Sequence, residues 1–162
     1  LYVRESALNK LSPPLIDNIS AAQTSDTAFK WAKGAKRFET YERHVAGQIG
    51  LSEAAKYAIE LGLPRIEDRV KTLAKTLREA LTGLPLSILD KGEALSGIVT
   101  FRSERKSAKD IINALWEERI AVSYISPHQV TERPDAVRAS IHYYNTQDEI
   151  DKFCSALKQI IT

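Results

Sequence analysis

Residues 137–146 constrain the fold of this 162-residue chain most, because they join a strand pattern to a helix start. The stretch begins with alternating apolar and polar residues, the period-2 pattern of a half-buried strand. The apolar positions are Val137, Ala139 and Ile141, and the polar ones are Arg138, Ser140 and His142. Thr146 and Glu149 then have the spacing of a capping box, in which two backbone donors at a helix start are satisfied reciprocally. The pattern therefore predicts a strand with Arg138 on its polar face, followed at once by a helix.

The elements around this stretch predict an α/β chain that ends in a small α+β domain. The last helix, about 147–161, has an apolar stripe of Ile150, Phe153, Leu157, Ile160 and Ile161. Upstream, the patterns predict helices at 44–61 and 65–82, strands at 86–89, 96–101, 120–125 and 136–141, and a helix capped by Ser107. From the helix at 65–82 onward, this order predicts a mostly antiparallel sheet covered by helices.

The first third of the chain has weaker patterns. Residues 1–4 are typical of a short strand, and residues 5–11 of a brief helical turn that ends at Pro13. Residues 15–41 have no sustained period, although they contain apolar side chains, and we expect them to pack against a partner surface. Because the chain opens on Leu1 and contains no methionine, we interpret it as a piece of a longer protein.

Composition excludes several classes of function. Hydrophobic residues make up 43% and charged residues 27%, as in globular proteins, and the net charge of +2 does not form the basic patch of a nucleic-acid-binding protein. No apolar run is long enough to span a membrane. The lone Cys154 cannot form an internal disulfide, which indicates a reducing, cytoplasmic location.

Arg138 is the candidate binding residue. A guanidinium grips a carboxylate or phosphate through a planar, bidentate fork. From the pattern alone, Arg138 is either such a residue or a solvated arginine on an ordinary strand.

The segment V-R-A-S-I-H-Y-Y-N-T-Q-D-E-I-D resembles the C-terminal signature of the class V aminotransferase family. That family has fold type I and depends on pyridoxal 5'-phosphate, and it includes cysteine desulfurases, selenocysteine lyases and isopenicillin N epimerase-like enzymes. The segments P-P-L-I-D at 13–17 and A-K-R-F-E at 35–39 resemble family motifs as well. The resemblance implies that Arg138 binds the substrate's α-carboxylate.

The resemblance also implies how the chain divides. Residues 1–62 correspond to the C-terminal end of the large cofactor domain with a connecting helix, and residues 63–162 to the small C-terminal domain. The lysine that forms a Schiff base with the cofactor is expected upstream of Leu1, so this chain alone would hold no catalytic residue and be inactive. The complete enzyme would act on an amino acid as an aminotransferase, epimerase or C–S lyase, and would be a homodimer.

Three positions need separate comment. Glu42 and His44 follow R-F-E, near the cofactor and the dimer interface in the family, but Glu42 stands where many members have a threonine that contacts the cofactor phosphate. A carboxylate there would repel phosphate. His142 shares the predicted strand face with Arg138 and is a second candidate for substrate binding.

The chain departs from the cysteine desulfurases at their nucleophile. Those enzymes carry a cysteine about fifteen residues before the carboxylate-binding arginine, and counting back from Arg138 reaches Ser123. Cys154 lies in the last helix, where a free cysteine is most often a small apolar residue. We therefore expect no persulfide chemistry on a cysteine of this chain, and no metal site.

A different class of function remains open. The chain could be a stand-alone, non-catalytic α+β domain that binds a small molecule or serves in assembly. That hypothesis predicts a stable fold without bound cofactor.

Overall fold

The computed structural model describes residues 2–128 and 134–162. The chain divides into two compact units, Leu1–Lys56 and Tyr57–Thr162. This division falls within a helix, close to the predicted boundary after residue 62. The assignment of the two pieces to a large and a small domain stays a prediction.

The first unit contains short elements. A one-turn helix α1 (Glu5–Leu8) is followed by a hairpin of β1 (Ala21–Ser25) and β2 (Ala28–Trp31), a 3-10 helix (Gly34–Phe38) and the start of α2 (Val45–Leu61). The hairpin lies where the sequence showed no sustained period. Residues 2–4 form no strand, so that prediction was wrong for them. A strand must pair its backbone groups, and no described strand pairs with residues 2–4.

The second unit has the predicted element order. It consists of α3 (Leu63–Leu81), β3 (Leu86–Ile88), β4 (Ile98–Ser103), α4 (Ala108–Glu117), β5 (Ser123–Ile125), β6 (Ala136–Ser140) and α5 (Gln147–Ile161). The four strands form one sheet in the order β3-β4-β6-β5, and every neighbouring pair is antiparallel. The predicted fold class, a mixed α/β chain with an antiparallel sheet and helices, is confirmed.

The helix starts of this unit follow from local chemistry. Ser107 accepts a hydrogen bond from the backbone N–H of Asp110, and thus caps α4. Thr146 and Glu149 form the complete capping box of α5. Gly62, with a φ of +88°, turns the chain between α2 and α3 in a conformation that favours glycine.

The hydrophobic core lies between one face of the sheet and the three helices. Val99, Phe101, Val137 and Ala139 supply the sheet side of this core. The helices contribute Leu73, Leu77, Leu81, Ile111, Leu115, Ile150, Phe153, Leu157 and Ile161. The rings of Phe101 and Phe153 meet edge to face, with centroids 6.2 Å apart. The opposite face of the sheet, which carries Arg138, is called the open face below. Within the described residues, no helix is long and apolar enough to cross a membrane.

Candidate functional site

The strand β6 places Arg138 on the open face of the sheet. Its two chain neighbours, Val137 and Ala139, are buried in the core, while Arg138 is exposed. Because side chains alternate along a strand, a slip of one residue would drive the guanidinium into the core and expose both apolar neighbours. The register of β6 is therefore strongly specified, and the predicted alternation of residues 137–140 is what the structure contains.

Arg138 lies between two hydroxyl residues on the neighbouring strands. The register places it opposite Thr100 of β4 on one side and Ser123 of β5 on the other. Its Nη2 donates a hydrogen bond to Ser123 Oγ at 3.2 Å. Across residues 2–128 and 134–162, no carboxylate forms an ion pair with Arg138. The guanidinium therefore retains donors that can receive an anion.

A cavity of about 830 Å³ lies on the open face, and Arg138 is not among the residues that line it. Its lining includes Thr100, which is opposite Arg138, and Ala136, which is two residues before it on the same strand. Apolar side chains, among them Ile98, Leu95 and Ile125, form much of the rest. An apolar hollow with a few polar groups at its margin is the usual make-up of a small-molecule site.

His142 does not lie on the strand. The strand β6 ends at Ser140, so the prediction that His142 shares its face with Arg138 was wrong. The backbone N–H of His142 donates to Asn145 Oδ1 at 2.8 Å, which draws the chain into a turn instead of continuing the ladder. The imidazole stacks on Tyr144, with ring centroids 4.4 Å apart. A role of His142 in substrate binding stays a prediction.

The turn between β6 and α5 is tied down by several hydrogen bonds. Asn145 Nδ2 donates to Glu149 Oε2 at 3.1 Å, and Arg69 of α3 donates to the carbonyl oxygen of Asn145 at 3.0 Å. The backbone N–H of Thr146 donates to the same Glu149 oxygen at 2.9 Å. These donors, the Thr146 N–H first, lower the pKa of the Glu149 carboxyl. The chain that leaves the Arg138 strand is thus held at a defined point.

Glu42 and His44 lie in the first unit, and both are exposed. His44 Nδ1 accepts a hydrogen bond from the backbone N–H of Gly47 at 3.0 Å, so it acts at the start of α2 in the manner of a helix cap. Glu39 of the R-F-E motif pairs with Arg43 at 3.6 Å, and not with Arg37. The proximity of Glu42 and His44 to a cofactor stays a prediction.

Lysine and cysteine side chains bear on the chemistry available within this chain. Every lysine is exposed, whereas a lysine that holds a cofactor needs a sheltered setting. Cys154 is half-buried on α5, and burial raises the pKa of its thiol, which keeps it in the weakly nucleophilic protonated form. No cluster of three or more potential metal ligands exists in the part of the chain that the structure describes.

The sequence reasoning missed Ser123 as a partner of Arg138. The residue was noted only as the position where a cysteine was absent. Its contact with Arg138 depends on the pairing of β5 with β6, and strand register cannot be read from a three-residue strand.

Comparison with known proteins places this architecture in a family. The model of the family described as aminotransferase class-V matches residues 1–153 of the chain. The chain belongs to the class V aminotransferase family. The Arg138 strand, the turn that follows it and the first seven residues of α5 lie within the matched range.

Several relatives in this family are named as cysteine desulfurases. The chain is 28% identical to a probable cysteine desulfurase of Pyrococcus abyssi, over 99% of this chain and 42% of the relative. It is 30% identical to a cysteine desulfurase of Salmonella typhimurium, over 99% of this chain and 41% of the relative. The apo structure of a cysteine desulfurase from Thermococcus onnurineus superposes with a TM-score of 0.83 at 27% identity, covering 99% of this chain and 42% of that one. The chain therefore spans about two-fifths of the length of the proteins it matches.

Proposed function

We propose that this chain is the C-terminal portion of a pyridoxal-phosphate-dependent enzyme that acts on an amino acid, and that Arg138 binds the α-carboxylate of its substrate. One observation carries the assignment of Arg138. Within a matched family segment, the register of the sheet places Arg138, which has no carboxylate partner among the described residues, opposite Thr100, and Thr100 lines a largely apolar cavity. A solvated arginine on an ordinary strand, the alternative from the pattern, would not require that setting.

The binding step follows from the geometry of the guanidinium. Its planar fork donates two parallel N–H···O bonds to a carboxylate, which fixes both the position and the orientation of the substrate. The strand β6 is hydrogen-bonded to a neighbouring strand on each side, so its backbone holds Arg138 in a fixed position. Orientation matters here, since an amino acid must present one bond of its α-carbon to the reacting group.

Pyridoxal phosphate, the cofactor that family membership implies, supplies an electron sink for the negative charge that develops at the substrate's α-carbon. The residues of this chain fit the carboxylate end of such a site. The exposed lysines do not fit attachment of the cofactor, so we place the Schiff-base lysine in the part of the enzyme that precedes this chain. The first partner of the chain is then the large domain.

We propose three possible types of reaction for the complete enzyme. Transamination, epimerisation and C–S lysis share the early steps at the α-carbon. Persulfide chemistry on Cys154 does not fit, because that thiol is half-buried on α5 with a raised pKa. A homodimer and a cytoplasmic location are further parts of the proposal. The non-catalytic alternative lacks a comparable observation in its favour.

The direct test replaces Arg138 by lysine in the intact enzyme. We expect KM for the amino-acid substrate to rise about 10- to 100-fold, because a point charge replaces a bidentate fork. The matched control is Arg102→Lys, since Arg102 is an exposed arginine on the neighbouring strand β4 and on the same face. An amine that lacks the carboxylate should show the same KM in all three proteins. An unchanged KM for the amino acid in Arg138→Lys would remove Arg138 from the site.

A second test locates the cofactor lysine. Borohydride reduction of the intact enzyme, followed by peptide mapping, identifies the lysine that carries pyridoxal phosphate. We expect a modified lysine outside this chain. Stoichiometric modification of a lysine within residues 1–162 would contradict the proposal.

A further inference from the structure

Among the described residues, no carboxylate pairs with Arg138, and the hydroxyl of Ser123 is the side chain to which it donates a hydrogen bond. We propose that Ser123 is a positioning residue for carboxylate binding, which acts through Arg138. The inference rests on the proposed function of Arg138. The inference adds Ser123 as a residue that orients the guanidinium of Arg138.

The contact is fixed by the backbone of both residues. Ser123 and Arg138 are directly opposite one another in the antiparallel pair of β5 and β6. Opposite residues of an antiparallel pair lie on the same face, with Cβ atoms about 5 Å apart. The serine side chain has a single heavy-atom torsion, so its oxygen stays close to the strand, and the Nη2–Oγ distance is 3.2 Å.

An exposed arginine without such a contact would sample many rotamers. One hydrogen bond at Nη2 removes part of that freedom before the substrate arrives, and preorganisation of this kind improves affinity by lowering the ordering cost of binding. The remaining N–H groups of the fork make no hydrogen bond to other residues of the described chain, so they are available to the carboxylate.

The chemical nature of Ser123 suits this role. A hydroxyl oxygen accepts from the guanidinium but carries no charge, so it orients Arg138 without competing with the substrate's carboxylate. An aspartate at this position would pair with Arg138 and have to be displaced by the substrate. An alanine would leave the arginine unoriented. Since a merely structural serine on the strand predicts no such order, the side chain at position 123 provides a test.

The experiment compares Ser123→Ala, Ser123→Thr and Ser123→Asp in the intact enzyme, with steady-state kinetics for the amino acid and for a matching amine that lacks the carboxylate. We expect KM for the amino acid to rise about 3- to 10-fold in Ser123→Ala, with kcat within twofold. Threonine should restore the original KM, since it keeps the hydroxyl. Aspartate should raise KM more than alanine does. The KM for the amine should not change in any variant.

The matched control is Ser87→Ala. Ser87 is exposed on β3 and lies opposite Arg102, another arginine of the open face, so it reproduces the Ser–Arg arrangement away from Arg138. This control should leave both kinetic constants unchanged.

The outcomes separate the two proposals. If Arg138→Lys raises KM for the amino acid and Ser123→Ala does not, the positioning role is overturned and the carboxylate-binding role of Arg138 stands. An equal rise of KM for the amino acid and the amine in Ser123→Ala also overturns positioning, because it indicates a general structural defect. If Arg138→Lys itself has no effect, both proposals fail.

Discussion

Arg78 of α3 and Asp90, in the loop between β3 and β4, form an ion pair with 2.8 Å between Nε and Oδ2, and only 14% and 9% of their side-chain surfaces are exposed. The same guanidinium donates to the carbonyl oxygens of Ser96 and Ile98 at 2.9 and 2.8 Å. The other oxygen of Asp90 accepts from the backbone N–H of Thr100 at 2.8 Å. This pair therefore connects a helix, a loop and the start of the strand that borders Arg138.

Removal of Asp90 should destabilise the chain strongly. Asp90→Ala leaves a largely buried guanidinium without its counter-charge and the Thr100 N–H without an acceptor, and we expect the free energy of unfolding to fall by about 3 kcal/mol. The measurement is urea denaturation followed by circular dichroism. Glu79→Ala is the matched control, because Glu79 forms an exposed pair with Lys75 at 3.7 Å and should change stability by no more than about 0.5 kcal/mol. Equal changes in the free energy of unfolding for the two substitutions would contradict a special role of the Arg78–Asp90 ion pair.

Gly97 should not tolerate a side chain. A Cβ at this position would lie 2.5 Å from Val70 Cγ1 and 2.7 Å from the carbonyl oxygen of Ile141, and the latter is backbone that cannot turn aside. We expect Gly97→Ala to lower the free energy of unfolding by about 1–3 kcal/mol. Gly50→Ala is the comparison, since that glycine lies within α2 with no atom in the way and should gain about 0.5–1 kcal/mol of helix propensity. A neutral Gly97→Ala would show that β4 and the residues after β6 do not approach so closely.

The capping box of α5 should make stability depend on pH. Hydrogen bonds from Thr146 and Asn145 lower the pKa of Glu149 in the folded chain. The resulting stabilisation is fully present above the ordinary glutamate pKa of about 4.3, and it is lost as the pH falls through the lowered native value. Glu149→Gln keeps a capping side chain but cannot titrate there, so its Tm deficit relative to the parent should shrink as the pH falls below about 4. A deficit that stays constant from pH 7 to pH 3 would speak against this coupling.

Cys154 should be dispensable for activity. Burial raises the pKa of its thiol, so the thiolate needed for nucleophilic attack is scarce at neutral pH. In the intact enzyme, Cys154→Ala should retain kcat/KM within about twofold, because a thiol outside the chemistry contributes no transition-state stabilisation. A loss of about 1.4 kcal/mol of such stabilisation would lower kcat/KM tenfold. A thiol reagent should modify the native chain at Cys154 much more slowly than the unfolded chain. A large loss of activity with normal stability would place this cysteine in the chemistry after all.

Much of the second unit could be predicted because each signal there is local. The stripe of α3, with Leu73, Leu77 and Leu81, requires only the helical repeat, and the Thr146–Glu149 box requires only a spacing of three residues along the chain. The alternation of residues 137–140 likewise identifies which side of β6 faces the core. These signals depend on neighbours in sequence, so no tertiary knowledge was needed.

What could not be predicted depends on contacts between distant residues. The pairing of β5 with β6 decides that Ser123 meets Arg138, and the fold decides that Arg78 meets Asp90. The hairpin of β1 and β2 was missed because its strands are largely exposed and so lack an alternating apolar face. The end of β6 was misplaced because the Asn145 side chain takes the His142 N–H.

The inner position of β6 in the sheet has a consequence for altering the enzyme. Hydrogen-bonded strands flank it on both sides, whereas the loop residues 91–96, which follow Asp90, border the cavity from outside the ladder. If Arg138 binds the substrate's carboxylate as proposed, substitutions at residues 91–96 can reshape the cavity without disturbing the strand that carries this arginine. Under that proposal, libraries aimed at new amino-acid preferences belong at residues 91–96, with Asp90 and the Arg138 strand left unchanged.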